Sequence, residues 1–226
     1  MAAAMSRTRL GALCLLMAGV MFILYPALRP WADESTVDGA KAAMASGAWV
    51  ASHAFAIVGF VLVPIGLLSL WGVVRGTRAE PAALAAVVTS WIGAGLTLPF
   101  YGAEDFGLHA IATRAATGET FDLLGMVDAV RLNPVALGMF VAGLVTLAAA
   151  GIVTAVAVSR SGHLPRFAGL PVALGLTLFL PQFATPAAVR ISHGVLLGLG
   201  LAWLAVQLWR TADRSPASAS PVAARR

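Results

Sequence analysis

Charge is what this sequence has least of. Only 11% of its 226 residues are charged, against 59% hydrophobic, where an average soluble domain carries about 25% charged and roughly 45–50% apolar residues. A water-soluble core could not conceal that much apolar surface, which excludes an ordinary soluble globular class. Lysine is nearly missing too: Lys41 stands alone against fourteen arginines. The formal net charge of +5 comes from basic residues scattered in pairs between apolar runs. A nucleic-acid partner needs such residues gathered on one soluble face, so none is expected. Cysteine is reduced to Cys14, inside the first apolar run, which excludes an intrachain disulfide and a cysteine-based zinc site. His-Glu-x-x-His, Gly-x-Ser-x-Gly and a phosphate-binding glycine loop are all missing. No motif therefore calls for a metal, a cofactor or a catalytic residue, and the chain reads as a binding or transport protein before an enzyme.

What is present is a series of apolar runs, each near the roughly 20 helical residues that cross a hydrocarbon core about 30 Å thick. Six membrane helices are expected, over about 10–28, 47–74, 82–103, 134–158, 167–183 and 190–209. The first follows Arg7 and Arg9 but is long for a signal peptide and lacks a small-x-small cleavage site, so it reads as a retained helix. In the second, Trp49 and Trp71 stand near the ends, where amphipathic rings favour the interface, and Pro64 predicts a kink that neighbouring helices can satisfy. The third starts after the turn Arg75 to Pro81, with proline at a position whose N–H would be unpaired anyway. The fifth contains Pro171 and Pro181. Between the third and fourth lies the longest loop, in which Phe121, Leu124, Val127 and Val130 recur every third residue and predict a short helix on the membrane surface. The fold class is thus all-α: one polytopic transmembrane bundle over 1–212, followed by a disordered cytoplasmic tail over 213–226 that is poor in bulky apolar residues.

Topology follows from counting Lys and Arg in the short connections. With the N-terminus inside, ten basic residues fall on the inner side and five on the outer. Both termini are then cytoplasmic, in what reads as a bacterial plasma membrane. Eight of the ten acidic residues fall outside, so the long loops are the acidic ones.

That orientation gathers the scattered polar side chains on the outer side. Glu104, Asp105 and His109 end the third helix, and Tyr101, Asp105 and His109, four apart, share one helical face. His53 lies about 9 Å into the second helix at 1.5 Å per residue. Gln182 ends the fifth helix, and Arg190 and His193 open the sixth. Since intramembrane ionisable groups are rare and tend to mark pathways, these eight residues are the candidate lining of an outward-facing site for an ion, a proton or a small ligand. The competing reading is that they sit at the headgroup level and only terminate helices; His53 is too deep for that. A second class of function would be a b-type haem held between His53 and His193, with Arg190 on a propionate. A zinc site drawn from His53, His193 and Glu104 or His109 lacks the spacing of known zinc motifs.

Two passages carry a resemblance. His163-Leu164-Pro165-Arg166-Phe167-Ala168-Gly169-Leu170 before an apolar helix, and Ser192-His193-Gly194 leading to Ala202-Trp203-Leu204 and Leu208-Trp209-Arg210, resemble the last hairpin and final helix of uncharacterised small multipass membrane proteins of high-GC bacteria. Trp49-Val50-Ala51-Ser52-His53 and the acidic end of the third helix are similar to the same group. The resemblance implies a topology of about six helices and no assigned activity.

Overall fold

The structure is a computed structural model describing residues 6–214. The tail expected to be disordered over 213–226 lies outside them except for residues 213 and 214, which are instead helical and end the last helix. All regular elements among the described residues are helical: α1 (Arg7–Leu28), α2 (Val37–Met44), α3 (Gly47–Val73), α4 (Glu80–Gly102), α5 (Leu108–Ala116), α6 (Leu123–Arg131), α7 (Pro134–Arg160), α8 (Leu170–Thr177) and α9 (Ala187–Arg214). Helix starts follow the local chemistry. Ser46 accepts from the Trp49 N–H, and Asn133 accepts from the N–H groups of Val135 and Ala136 with Pro134 in the first turn, which satisfies donors that have no intrahelical partner.

Five helices are long and apolar enough to cross a membrane: Arg7–Leu28, Gly47–Val73, Glu80–Ala116, Pro134–Arg160 and Ala187–Arg214. The third is longer than expected. A π turn over Ala103–Gly107 joins α4 to α5, giving 37 continuous residues, or about 55 Å. The fifth expected helix, 167–183, is corrected to a broken one. Only Leu170–Thr177 is α-helical, followed by turns and a 3₁₀ turn over Pro181–Ala184. Pro171 fits the first turn of α8, whereas Pro181 has no N–H to continue the hydrogen-bond ladder. The broken segment nevertheless runs the length of α7. A Cβ on Gly169 would meet Ala155 and Val158, while Phe183 packs on Phe140 near the opposite end.

The packing order closes a ring: α1 on α3, α3 on α4, α4 on α7, α7 on α8, α8 on α9, and α9 back on α1. Three of the seams depend on small residues that let backbones meet. A Cβ on Gly19 would lie 2.6 Å from the Gly198 carbonyl oxygen, one on Gly93 2.9 Å from that of Gly143, and one on Gly66 3.1 Å from that of Gly11. Arg9 and Asp213 pair at 2.6 Å, so the start of α1 and the end of α9 lie at the same end of the ring.

Across the interior, rings from successive segments touch. Phe22 meets Phe60 at 5.0 Å, Phe60 meets Phe179 at 5.1 Å and Tyr101 at 5.3 Å, and Phe179 meets the His193 ring at 5.2 Å. This aromatic layer fills the middle of the bundle. At the end opposite the termini, α2, α5 and α6 form a cap with its own core, in which Met44, Trp49, Leu108, Ala112, Leu123 and Val127 are buried. Of the expected stripe, Leu124, Val127 and Val130 lie in α6 and pack into this core with α2 and α5, while Phe121 precedes α6 and is exposed.

Gly19→Val should weaken the α1–α9 seam by roughly 1–3 kcal/mol, because the blocking atom is backbone and cannot swing away. Gly72→Val, where a Cβ meets nothing within 4 Å, is the matched control. Thermal unfolding of the two purified variants should show a clear loss for the first and little for the second.

Candidate functional site

The ring is open at the capped end, where a cavity of about 650 Å³ descends to the aromatic layer. That lies within the roughly 300–1,000 Å³ typical of small-molecule sites. Its floor holds both tyrosines of the sequence and His53. Tyr25 lies 5.6 Å from the His53 ring and 5.8 Å from Tyr101, centroid to centroid. One wall is apolar, formed by Phe100, Phe140, Phe183, Leu132 and Leu137, with Phe100 and Phe140 stacked at 4.3 Å.

The opposite wall is a chain of alternating charges. Arg29 donates to Glu34 at 2.5 Å. Arg131 donates through one terminal nitrogen to the other Glu34 oxygen at 2.8 Å, and grips Glu104 with two bonds of 2.6 and 3.1 Å. Four residues from the end of α1, the loop before α2, the π turn and the end of α6 are thereby tied together. Bidentate arginine–carboxylate pairs are the strong form of this contact. Burial alone would lower the pKa of Arg131, but the hydrogen bonds and charges of Glu104 and Glu34 outweigh it and hold it above its ordinary value. At the rim, hydrogen bonds from Ser35 keep the Asp33 carboxyl below the usual range.

The π turn decides which acidic side chain enters the cavity. A wide turn inserts an extra residue into the helix and re-aims the side chains beyond it, so Asp105 and His109, still within electrostatic range of each other, do not join Tyr101 at the cavity as expected. Tyr101 and Glu104 line the cavity. Asp105 is buried at 0% exposure with neither oxygen hydrogen-bonded. His109 turns to the cap, its Nδ1 2.7 Å from the Met44 carbonyl oxygen. The indole N–H of Trp49 donates to the Glu104 carbonyl at 2.8 Å, which fixes the bulged backbone against α3.

Of the eight residues read from the sequence, His53, Tyr101, Glu104 and Arg190 therefore line one cavity. Gln182 and His193 face a separate narrow crevice with no room for a water molecule. The sequence reading missed Tyr25, Arg29, Trp31, Glu34 and Arg131. Charged residues next to apolar runs were assigned to topology or to loops, and nothing local distinguishes a loop arginine from one that folds back over the bundle mouth.

His53 donates from Nδ1 to the Trp49 carbonyl at 2.9 Å, since that oxygen can only accept; this assigns the tautomer and leaves Nε2 free. His193 spends Nε2 on the Gly175 carbonyl at 2.7 Å, an oxygen exposed by the break after α8. A haem between the two imidazoles does not fit. The nitrogen that His193 would offer is committed, and the fully packed Phe22, Phe60 and Phe179 occupy the interior. Among the described residues no group of three or more His, Cys, Asp or Glu is placed to hold a metal ion.

Arg131→Ala should destabilise the protein by roughly 1–3 kcal/mol by leaving the partly buried Glu104 carboxylate unpaired, while Glu34 keeps Arg29. Adding Glu104→Ala should recover part of the loss, a coupling readable from a double-mutant cycle of melting curves. Asp105→Asn should raise the melting temperature, adding about 1–2 kcal/mol of stability, because it removes a buried charge that no hydrogen bond satisfies and that has only the charge of His109 to offset it.

Compared with protein-family models, curated proteins and solved structures, the chain has no significant match.

Proposed function

We propose that this is a multi-pass membrane protein that binds a small ligand from the outer side of a bacterial plasma membrane, in a binding or transporter-like role. The observation that carries this reading is the cavity itself. Six charged side chains (Arg29, Asp33, Glu34, Glu104, Arg131 and Arg190) and an imidazole with a free nitrogen are built into the mouth of a bundle whose long helices are otherwise apolar. Keeping such groups in an apolar bundle is costly, and bundle stability alone does not call for a cavity beside them.

The orientation follows the charge count. The end bearing Arg75, Arg78, Arg160 and Arg166 faces the cytoplasm with both termini, and the capped end faces out. Six traverses, with the broken 167–183 segment as the fifth, agree with the closed ring and with Arg9 beside Asp213. Discontinuous helices with proline breaks recur at the binding sites of secondary transporters, and here the break supplies the carbonyl that His193 engages. The sequence resemblance to small bacterial multipass proteins fits this setting and adds no activity.

Two measurements test the reading. Glu119→Cys in a Cys14→Ser background should react with a membrane-impermeant maleimide in intact cells, and Ser159→Cys only after lysis; the reverse pattern would invert the topology. In lipid nanodiscs, a panel of small organic acids, amines, alcohols and inorganic ions should contain a compound that raises the melting temperature saturably. Stabilisation of about 2.7 kcal/mol is expected at one hundred times Kd. His53→Ala should weaken that compound several-fold while His163→Ala, in the turn at the opposite end, leaves it unchanged. A panel without a saturable compound, or one indifferent to His53, would overturn the proposal.

A further inference from the structure

Resting on the cavity reading above, we infer that the ligand is a small organic anion with an apolar body, its acidic group held by Arg190 and its body against the phenylalanine wall. The hydrogen-bonding capacity that the wall has not already used points to this chemistry. Both oxygens of Glu34 and both of Glu104 are engaged by Arg29 and Arg131. No carboxylate oxygen of these two residues is left without a partner. Asp33, at the rim, is exposed and its Oδ1 accepts from the Ser35 N–H and hydroxyl.

The capacity still unused is mostly donor. Arg190 has no carboxylate within ion-pair distance among the described residues. Its guanidinium lies over Trp31 at 5.0 Å and over Phe183 at 4.9 Å from the ring centroids. Ring contacts of this kind occupy the faces of the guanidinium and leave its edge of N–H groups for a carboxylate or phosphate fork. Arg29, whose side chain is 9% exposed, lies over Trp31 and Trp49, and its buried Nε–H makes no hydrogen bond. The buried Tyr101 hydroxyl is likewise without a partner of good geometry. Against these stand two acceptors, Nε2 of His53 within the cavity, which suits a hydroxyl or amide and carries no negative charge, and Oδ2 of Asp33, out at the exposed rim. Inside the cavity a ligand rich in acceptors meets unused donors, whereas a cation would find the oxygens of Glu34 and Glu104 engaged and only the rim carboxylate of Asp33 to meet it.

The apolar half of the cavity fixes the rest of the ligand. Phe183 belongs both to the stack under Arg190 and to the wall that continues through Phe140 and Phe100. An acid gripped by the Arg190 edge therefore has its body directed along stacked rings and Leu137. Leu132, 64% exposed, forms the lip of the same wall at the junction of α6 and α7. That apolar lip admits an amphiphile from the bilayer as well as an acid from water.

The experiment uses the full-length protein in phosphatidylcholine nanodiscs and four probes: phenylbutyrate, phenylbutanol, phenylbutylammonium and acetate. Phenylbutyrate should bind saturably by calorimetry, at least about tenfold tighter than the alcohol and the ammonium, since a hydrogen bond to a charged group is worth that much. Acetate, with the charge and no body, should bind far more weakly. Arg190→Gln should weaken phenylbutyrate about tenfold or more while leaving phenylbutanol unchanged, and Arg190→Lys should recover part of the loss. Retained binding of phenylbutanol serves as the check that the Gln variant is folded. Tighter binding of the ammonium, or an Arg190→Gln variant that binds the acid like wild type, overturns the anionic assignment while leaving the cavity reading standing; binding of none of the four overturns this inference, and the wider panel then decides the cavity reading. Competition from phosphatidylglycerol in the nanodisc identifies a lipid phosphodiester as the native source of the anion, and lack of competition a water-borne acid.

Discussion

Everything at the open end of this bundle depends on one guanidinium. Arg131 reaches from the end of α6 to Glu34, in the loop after α1, and to Glu104, in the π turn of the third span. Three stretches far apart in sequence are thereby held at fixed separation around the cavity mouth. The alternation Arg29–Glu34–Arg131–Glu104 neutralises each charge locally, so it can stand beside an apolar ring without the penalty of an isolated ion. Neutralising the wall in this way also engages both oxygens of Glu34 and both of Glu104.

Much of the fold was legible because the bilayer imposes a simple rule: apolar runs long enough to cross must be helices. Runs such as Gly47–Val73 and Pro134–Arg160 declare themselves by length and composition alone. Where the rule is relaxed, prediction fails. The stretch 167–183 is as apolar as its neighbours, yet only Leu170–Thr177 stays α-helical, because hydropathy does not register where a ladder of hydrogen bonds stops. Likewise the third span runs to Ala116, past the polar residues that would have ended a purely intramembrane helix, because α2 and α6 bury its apolar face in the cap.

The site was half legible for a related reason. Depth and side can be read from sequence, which brought His53, Tyr101, Glu104 and Arg190 into one group. Azimuth cannot be read across a π turn. One extra residue sends Asp105 inward and His109 toward Met44, while Glu104 takes the place at the cavity. Arg29, Glu34 and Arg131 escaped because their roles are created by long-range ion pairs, and residues 34 and 131 carry no sequence signal that they will meet.

The Arg9–Asp213 pair and the Gly19–Gly198 contact make α1 and α9 adjacent partners, so the ring closes through the two ends of the described chain. No helix is then an edge, and the order in which the helices are strung is separable from the way they pack. A short linker joining the two ends, with new termini opened at the Arg75–Glu80 turn, would leave every seam, the aromatic layer and the charged mouth in place. In this architecture the chain's starting point is a matter of connection and not of structure, and a circularly permuted form would retain the same cavity.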